Sequence, residues 1–149
     1  MRAVVQRVSQ ASVSTDGRVC GSIETGLLVY VGVERDDAES DVAYIADKVR
    51  HLRIFPDDAN LMNLDVTQVR GKILIVSAFT VQADARRGRR PSFESAASND
   101  HAYVLCEMLC QTLANKGLQI EKGSFGDKMQ VLSTNAGPVC VLLESRRMF

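Results

Sequence analysis

The stretch Lys-Ile-Leu-Ile-Val-Ser-Ala-Phe-Thr-Val, residues 72–81, decides how the fold of this 149-residue chain is interpreted. Its four consecutive apolar residues, Ile73–Val76, lack the alternation of a strand with one solvent-exposed face, so they predict a strand covered on both faces. Ser77-Ala78-Phe79-Thr80 follow where the chain leaves the sheet. We expect their hydroxyl and N–H groups to face a cleft, although the same pattern also fits a plain polar strand boundary.

Strand patterns lie on both sides of this central run. Residues 3–13 alternate with the period of a strand, and Asp16-Gly17 is a typical hairpin turn. Further strands are predicted over residues 18–23, 27–33, 53–55, 118–121, 128–134 and 139–144.

Two helices are predicted from apolar residues at helical spacing. The first opens within the acidic residues 36–41 and carries Val42, Ile45, Ala46, Val49 and Leu52. The second begins at residues 98–100, carries Ala102, Leu105, Cys106, Leu109 and Leu113, and ends at Gly117. Because the strands cluster near both ends of the chain, we predict an α+β fold. Its sheet is mixed or antiparallel, or a partly closed β-barrel, with two flanking helices and a single domain over residues 1–149.

The run Asn-Ala-Gly-Pro-Val-Cys, residues 135–140, separates the last two predicted strands and should form a tight connection between them. Proline fixes its own φ, glycine accepts backbone angles closed to other residues, and X-Pro is the peptide bond that most readily becomes cis. A Gly-Pro step can present two neighbouring carbonyls in one direction, which suits a substrate amine. A simple hairpin turn is the alternative interpretation.

Two more polar segments could carry chemistry. Arg86, Arg87, Arg89 and Arg90 place four arginines within five residues, which indicates either a cationic patch for phosphates or a solvated loop. In the second segment, residues 123–130, a glycine-bounded Phe125 and Met129 could form a flat apolar slot for a nucleobase.

Composition excludes several classes of protein. The 18 basic and 18 acidic side chains cancel, so any polyanion must be held by a local contact. No apolar run approaches the roughly 20 residues that span a bilayer, and the N-terminus has no signal-like apolar region, so we expect a soluble cytosolic protein. The four cysteines show no spacing typical of a zinc site.

Taken together and in order, these motifs closely resemble the D-aminoacyl-tRNA deacylase family. The resemblance runs from Met1 to about Glu144 and rests on residues 1–9, 52–55, 62–63, 88–93 and 135–139. It implies a homodimer that hydrolyses the ester of D-aminoacyl-tRNA, and also of glycyl-tRNA, without a metal or an organic cofactor.

The resemblance also implies how the family distinguishes enantiomers. A Gly-cisPro pair, here Gly137 and Pro138, reaches into the neighbouring subunit's pocket, where its carbonyls accept hydrogen bonds from the α-ammonium of the substrate. An L side chain would then collide with the motif, whereas a D side chain would point to open space. Arg7 aligns with a family arginine that braces this motif across the interface.

The remaining site residues follow from the same resemblance. Ser77, Phe79 and Thr80 would line the ester with residue 78, and the N–H of Phe79 would stabilise the oxyanion while the 2′-hydroxyl of the terminal adenosine assists a water. Phe125, Gly126 and Met129 would border the adenine, and Ala96 would flank the α-carbon.

Two positions depart from the family pattern. Ala78 stands where the family usually has glutamine, and Cys140 stands where it prefers threonine. They motivate an alternative, a catalytically weakened homologue that still binds tRNA or another nucleic acid. A generic hydrolase with Ser77 or Thr80 as nucleophile is a third hypothesis, but no histidine lies nearby in the sequence to activate either hydroxyl.

Overall fold

The computed structural model describes residues 1–148, and the predicted domain's last residue, 149, lies outside that range. The strands are β1 (Arg2–Thr15), β2 (Arg18–Ile23), β3 (Gly26–Gly32), β4 (Phe55–Pro56), β5 (Met62–Leu64), β6 (Lys72–Ser77), β7 (Ile120–Lys122) and β8 (Gln130–Glu144). The helices are α1 (Glu39–His51) and α2 (Asn99–Asn115), and a short 3-10 turn, Phe79–Gln82, follows β6. None of the helices in the described range is long and apolar enough to cross a membrane.

One mixed sheet forms the centre of the molecule. Its strands follow the order β2-β1-β3-β6-β7, and β8 pairs with the long strand β1. The partners of β1 are antiparallel to it, whereas β3–β6 and β6–β7 are parallel. The sheet curls back on itself, since a Cβ added at Gly21 of β2 would lie 2.9 Å from the carbonyl oxygen of Lys122 in β7. The predicted fold class, a mixed sheet or partly closed barrel with two helices, is confirmed.

The curled sheet has a hydrophobic core on each face. Ile73 and Ile75 of β6 belong to the larger core, which α1 and α2 cover, and Leu74 and Val76 belong to a smaller core inside the curl. This explains why the run of apolar residues in β6 does not alternate, because both faces of the strand are buried. The prediction from the central stretch is therefore confirmed.

Both helices bury most of the apolar positions that their spacing predicts, whereas Leu52 and Ala102 are half-buried. In α1 the buried residues are Val42, Ile45, Ala46 and Val49, and in α2 they are Leu105, Cys106, Leu109 and Leu113. Ser98 caps α2 by accepting a hydrogen bond from the N–H of His101. Leu52 lies just after the last residue of α1.

The central strand is shorter than predicted. Pairing between β3 and β6 ends at Val31 and Ser77, and the N–H of Ala78 donates to the carbonyl of Val31 at 2.8 Å. Beyond this point β3 offers no further residue for β6 to pair with, and the chain enters the 3-10 turn. Residues 79–81 are therefore not part of a strand.

The last two predicted strands are one continuous strand, so the expected tight connection at the Gly-Pro step is wrong. Both arms of β8 pair antiparallel with β1, where Gln6 faces Cys140 and Val8 faces Asn135. Because β1 is long enough to hold both arms, the chain does not reverse direction. The extra residues of β8 instead form a bulge opposite Arg7.

A short hairpin was also missed by the sequence interpretation. The strand predicted over residues 53–55 is reduced to β4, which pairs with β5 in a separate two-stranded sheet. Asp57 stabilises the connecting turn by accepting hydrogen bonds from the N–H groups of Ala59 and Leu61. An aspartate that accepts from the N–H groups that follow it is typical of such a turn.

Candidate active site

A cleft of about 490 Å³ opens where β6 leaves the sheet, between the curled sheet and α2. The predicted site residues that line it are Ser77, Ala78, Phe79, Thr80, Phe125, Gly126 and Met129. Residues from two distant parts of the sequence therefore meet in one cavity. Ala96 does not line it, but its neighbour Ala97 does, tethered by an N–H bond to the carbonyl of Val33 at 2.9 Å.

The 3-10 turn leaves main-chain donors free at the cleft. The N–H of Ala78 is used by Val31, and the N–H of Val81 donates to the carbonyl of Ala78 at 3.0 Å. Within residues 1–148, no protein acceptor receives the N–H of Phe79 or Thr80. Free N–H groups in a cleft can stabilise the oxyanion that forms when an ester is attacked.

The cleft contains no activated nucleophile among the described residues. His51 lies 3.1 Å from Asp47 on α1, His101 contacts the carbonyl of Asp37, and neither histidine lines the cleft. Cys106 does line the cleft, but burial raises the pKa of its thiol to about 12. A protonated thiol is a poor nucleophile, so the site suits hydrolysis by water better than covalent catalysis.

The predicted base slot forms one wall of the cleft. Phe125 is half-buried, and Met129 packs against the core inside the curl. Met129 passes so close to Gly123 that an added Cβ there would lie 2.6 Å from its sulfur atom. A larger residue at 123 would therefore displace the side chain of Met129, which lines the cleft.

Three polar residues of the cleft were not predicted as site residues. Tyr30, Asn99 and Asp127 also line it. Tyr30 lay within a predicted strand and Asn99 at a predicted helix start, so each already had a structural explanation. Burial raises the pKa of the Tyr30 hydroxyl, which keeps it protonated and able to donate a hydrogen bond.

The Gly137–Pro138 bulge is held by two polar side chains. The peptide bond between them is cis, and both residues are exposed. The Asn135 amide clamps the base of the bulge, since its Oδ1 accepts from the N–H of Val139 at 2.7 Å and its Nδ2 donates to the Val139 carbonyl at 2.9 Å. Apart from the asparagine in the motif, no sequence signal predicts these two hydrogen bonds.

Arg7 provides the second support. Its Nε donates to the carbonyl of Ala136 at 2.7 Å, and one terminal nitrogen donates to the carbonyl of Ile54 at 2.5 Å. These contacts lie within one chain, and the contact across an interface that the resemblance implied stays a prediction. A Cβ at Gly137 would lie 2.7 Å from Val139 Cγ2 and 3.2 Å from an Arg7 nitrogen, so the motif has no room for a side chain there.

The structure does not bring every predicted residue together. Gly137 and Pro138 do not line the cleft of their own chain. The side chain of Cys140, the second departure from the family pattern, is exposed beside the bulge.

The arginine loop, residues 84–92 with the four predicted arginines, lies beside the mouth of the cleft. Main-chain hydrogen bonds between Asp84 and Ser92 close it, and Phe93 packs edge-to-face against Phe79, with ring centroids 5.1 Å apart. Arg86 pairs with Asp84 at 2.6 Å, and its hydrogen bonds hold the pKa of that carboxyl well below its usual range. In the described part of the chain, the remaining loop arginines have no acidic partner within salt-bridge distance; they are Arg87, Arg89 and Arg90.

A family model and individual relatives of this chain point to the same family. The D-Tyr-tRNA(Tyr) deacylase family matches residues 4–144. A D-aminoacyl-tRNA deacylase of Anaeromyxobacter dehalogenans (strain 2CP-C) is 52% identical over 149 residues, and the match covers 100% of each chain. A D-aminoacyl-tRNA deacylase of Thermotoga petrophila is 49% identical, with the same complete coverage.

A solved structure agrees with this result. The c-Myc DNA unwinding element binding protein has a TM-score of 0.91 and 33% identity, covering 97% of this chain and 98% of its own. Since the family match extends over nearly all of the residues that form the sheet, the cleft and the Gly-Pro bulge, this chain belongs to the D-Tyr-tRNA(Tyr) deacylase family.

Proposed function

We propose that this chain is a carboxylic ester hydrolase that removes D-amino acids, and glycine, from the 3′ end of tRNA. It acts as a single deacylase domain over residues 1–149 and proofreads chirality for translation in the cytoplasm. The observation that carries this proposal is the cleft itself, where free main-chain donors of the 3-10 turn adjoin an apolar slot of nucleobase type.

The proposed reaction uses the substrate's own chemistry. The terminal adenine lies against Phe125, Gly126 and Met129, which directs the ester towards the N–H groups of Phe79 and Thr80. A water assisted by the ribose 2′-hydroxyl attacks the ester carbonyl carbon, and the N–H groups stabilise the developing oxyanion. The bond to the ribose 3′-oxygen then breaks, and that oxygen takes a proton as free amino acid and tRNA leave. Ala78 contributes only its main chain, so this route does not need a glutamine there.

Selectivity for the D form requires a second copy of the chain in this proposal. The partner's Gly137–Pro138 bulge enters the cleft, where its carbonyls accept hydrogen bonds from the α-ammonium and block an L side chain. Glycine passes because it has no side chain to exclude. In support, the bulge is exposed and absent from its own cleft, and β8 carries Leu132 and Leu142 with 72% and 58% of their surface exposed. Large exposed apolar residues are typical of protein interfaces.

The arginine loop supplies the proposed contact with the tRNA backbone. Arg87, Arg89 and Arg90 are exposed beside the cleft mouth, where phosphates of the acceptor end would pass. Arg86 joins them at reduced strength, because Asp84 already neutralises its charge.

A second candidate is a nucleic-acid-binding homologue with weakened catalysis. Ala78 and Cys140 favour it, and so does the likeness to a protein that is described as binding a DNA unwinding element. The two candidates differ in turnover and not in binding. In a single-turnover reaction, a binder would form a stable complex with D-aminoacyl-tRNA and leave the ester intact.

The central test compares the two enantiomers. We expect the purified protein to release D-tyrosine from charged tRNA at least about 100-fold faster than L-tyrosine, because steric exclusion by a rigid motif is steep. Released amino acid is followed by acid precipitation of the remaining charged tRNA. Equal rates on both enantiomers would contradict the chiral filter, and tight binding without release would favour the second candidate.

A second test separates water attack from nucleophilic attack. Thr80→Ala should keep kcat for D-tyrosyl-tRNA within about tenfold of wild type, because the main-chain N–H at position 80 remains. Ser77→Ala is the matched variant, since it removes the other hydroxyl of the same cleft. Complete loss of turnover in Thr80→Ala, with unchanged substrate binding, would instead identify Thr80 as the nucleophile.

A further inference from the structure

We propose that Tyr103 forms a second nucleotide subsite at the rim of the cleft, where its ring stacks on the penultimate base of the tRNA. This inference rests on the proposed function, because it assumes that the terminal adenosine occupies the slot. It extends recognition from the terminal nucleoside to the nucleotide before it.

The helical geometry of α2 places Tyr103 beside the cleft. Asn99, four residues before it, and Cys106, three residues after it, both line the cavity. Residues three and four apart share one face of a helix, so Tyr103 lies on the stripe that faces the cleft mouth. It does not line the cavity itself, and 49% of its surface is exposed.

Tyr103 also contacts the slot directly. Its ring packs edge-to-face with Phe125, with centroids 5.3 Å apart and an interplanar angle of 75°. Phe125 lines the cleft, so the two rings form one continuous aromatic surface from the slot to its rim. An edge contact covers less of a ring than parallel stacking does, and the exposed part of Tyr103 remains free for another planar group.

The charges near Tyr103 favour a base over a phosphate as the group that binds there. Lys122, a cation close to Tyr103, donates to both carboxylate oxygens of Glu107 at 2.7 Å. An ammonium that is already paired offers little attraction to a phosphate. An exposed aromatic ring next to an occupied base slot is a surface on which the next base of a single strand can stack, whatever its identity.

The test compares two substrates that differ in the penultimate nucleotide. On D-tyrosyl-tRNA, Tyr103→Ala should lower kcat/KM about tenfold, whereas on 3′-D-tyrosyl-adenosine it should change the value less than twofold. Tyr103→Phe should keep the wild-type value on both, because it retains the ring face. An equal loss on both substrates would show that Tyr103 only supports Phe125, and no loss on tRNA would also overturn the subsite.

Controls keep this result separate from the proposed function. Val104→Ala removes a side chain of similar exposure, 55%, from the same helix and should leave kcat/KM unchanged on both substrates. If the wild-type protein hydrolyses neither ester, the proposed activity fails, but the subsite is still decided by binding. Binding can be measured by calorimetry with two amide-linked D-tyrosyl analogues, one of the adenosine and one of the terminal trinucleotide. Tyr103→Ala should weaken the affinity for the trinucleotide analogue about tenfold and leave the affinity for the adenosine analogue unchanged. Equal binding of wild type and Tyr103→Ala to the trinucleotide would overturn the inference.

Discussion

Replacing Arg7 with alanine is expected to reduce the preference for D- over L-tyrosyl-tRNA by about one order of magnitude. Arg7 fixes two carbonyls, those of Ala136 and Ile54, and thereby positions the residues immediately before Gly137. Without it, the bulge can shift relative to its own sheet, and displacements near 1 Å already cost about 100-fold in a positioned reaction. The ratio of kcat/KM for the two enantiomers measures the effect. It should fall because the L substrate gains access and the D substrate is held less well.

Two variants make this result specific. Arg7→Lys keeps the charge but cannot donate from two nitrogens in the fixed geometry of a guanidinium, so its selectivity should lie between wild type and alanine. Arg53→Ala removes a neighbouring exposed arginine, whose Nε donates to the carbonyl of Asn63 at 2.9 Å, and should leave the ratio unchanged. An Arg7→Ala protein that unfolds like wild type and keeps full selectivity would argue against the bulge as the filter.

The loss at Arg7 should be incomplete because Asn135 supports the bulge independently. Its side chain makes both of its hydrogen bonds with the main chain of Val139, on the far side of the Gly-Pro step from Ala136. The two supports hold opposite ends of the bulge, so removing one loosens it from one side only. Selectivity in this family member is thus expected to depend on groups that never touch the substrate.

Local patterns in the sequence were sufficient for most of the secondary structure. The Asp16-Gly17 turn requires positive φ at both residues, and the structure shows 47° and 75° there. Ser98 and the apolar spacing of α2 predicted that helix, and the run Ile73–Val76 predicted a strand buried on both faces. These features depend on interactions within a few residues, so the sequence expresses them directly.

Features that depend on distant partners could not be predicted in the same way. Whether residues 130–144 form one strand or two is decided by β1, which lies more than a hundred residues earlier in the chain. The contacts of Arg7 with Ile54 and Ala136 likewise join three separate segments. Ser77 and Thr80 were found because they follow the end of an apolar run, whereas Tyr30 lay inside such a run and was missed.

The second large effect concerns the packing of β3 against β6. Gly26→Ala is expected to lower the free energy of unfolding by about 3 kcal/mol or more, since overpacking that cannot relax lies at the costly end of core substitutions. A Cβ at residue 26 would lie 1.9 Å from the carbonyl oxygen of Lys72, and 2.8 and 2.9 Å from its carbonyl carbon and nitrogen. All three are main-chain atoms, so no side-chain rotation relieves the collision. Urea unfolding followed by far-UV circular dichroism measures the change.

Gly117→Ala provides the matched control for this prediction. Gly117 follows α2 with φ of +84°, and an added Cβ there would meet no atom within 4 Å. Gly117→Ala should therefore lower the free energy of unfolding only because alanine disfavours a positive φ, by about 1 kcal/mol. Equal losses of stability in the two variants would contradict the prediction, because they would show that the close approach of β3 to β6 is not the reason for a glycine at residue 26. A larger loss for Gly26→Ala should also lower deacylation, because separating the two strands would shift Ser77 and the 3-10 turn, whose N–H groups are the proposed oxyanion donors.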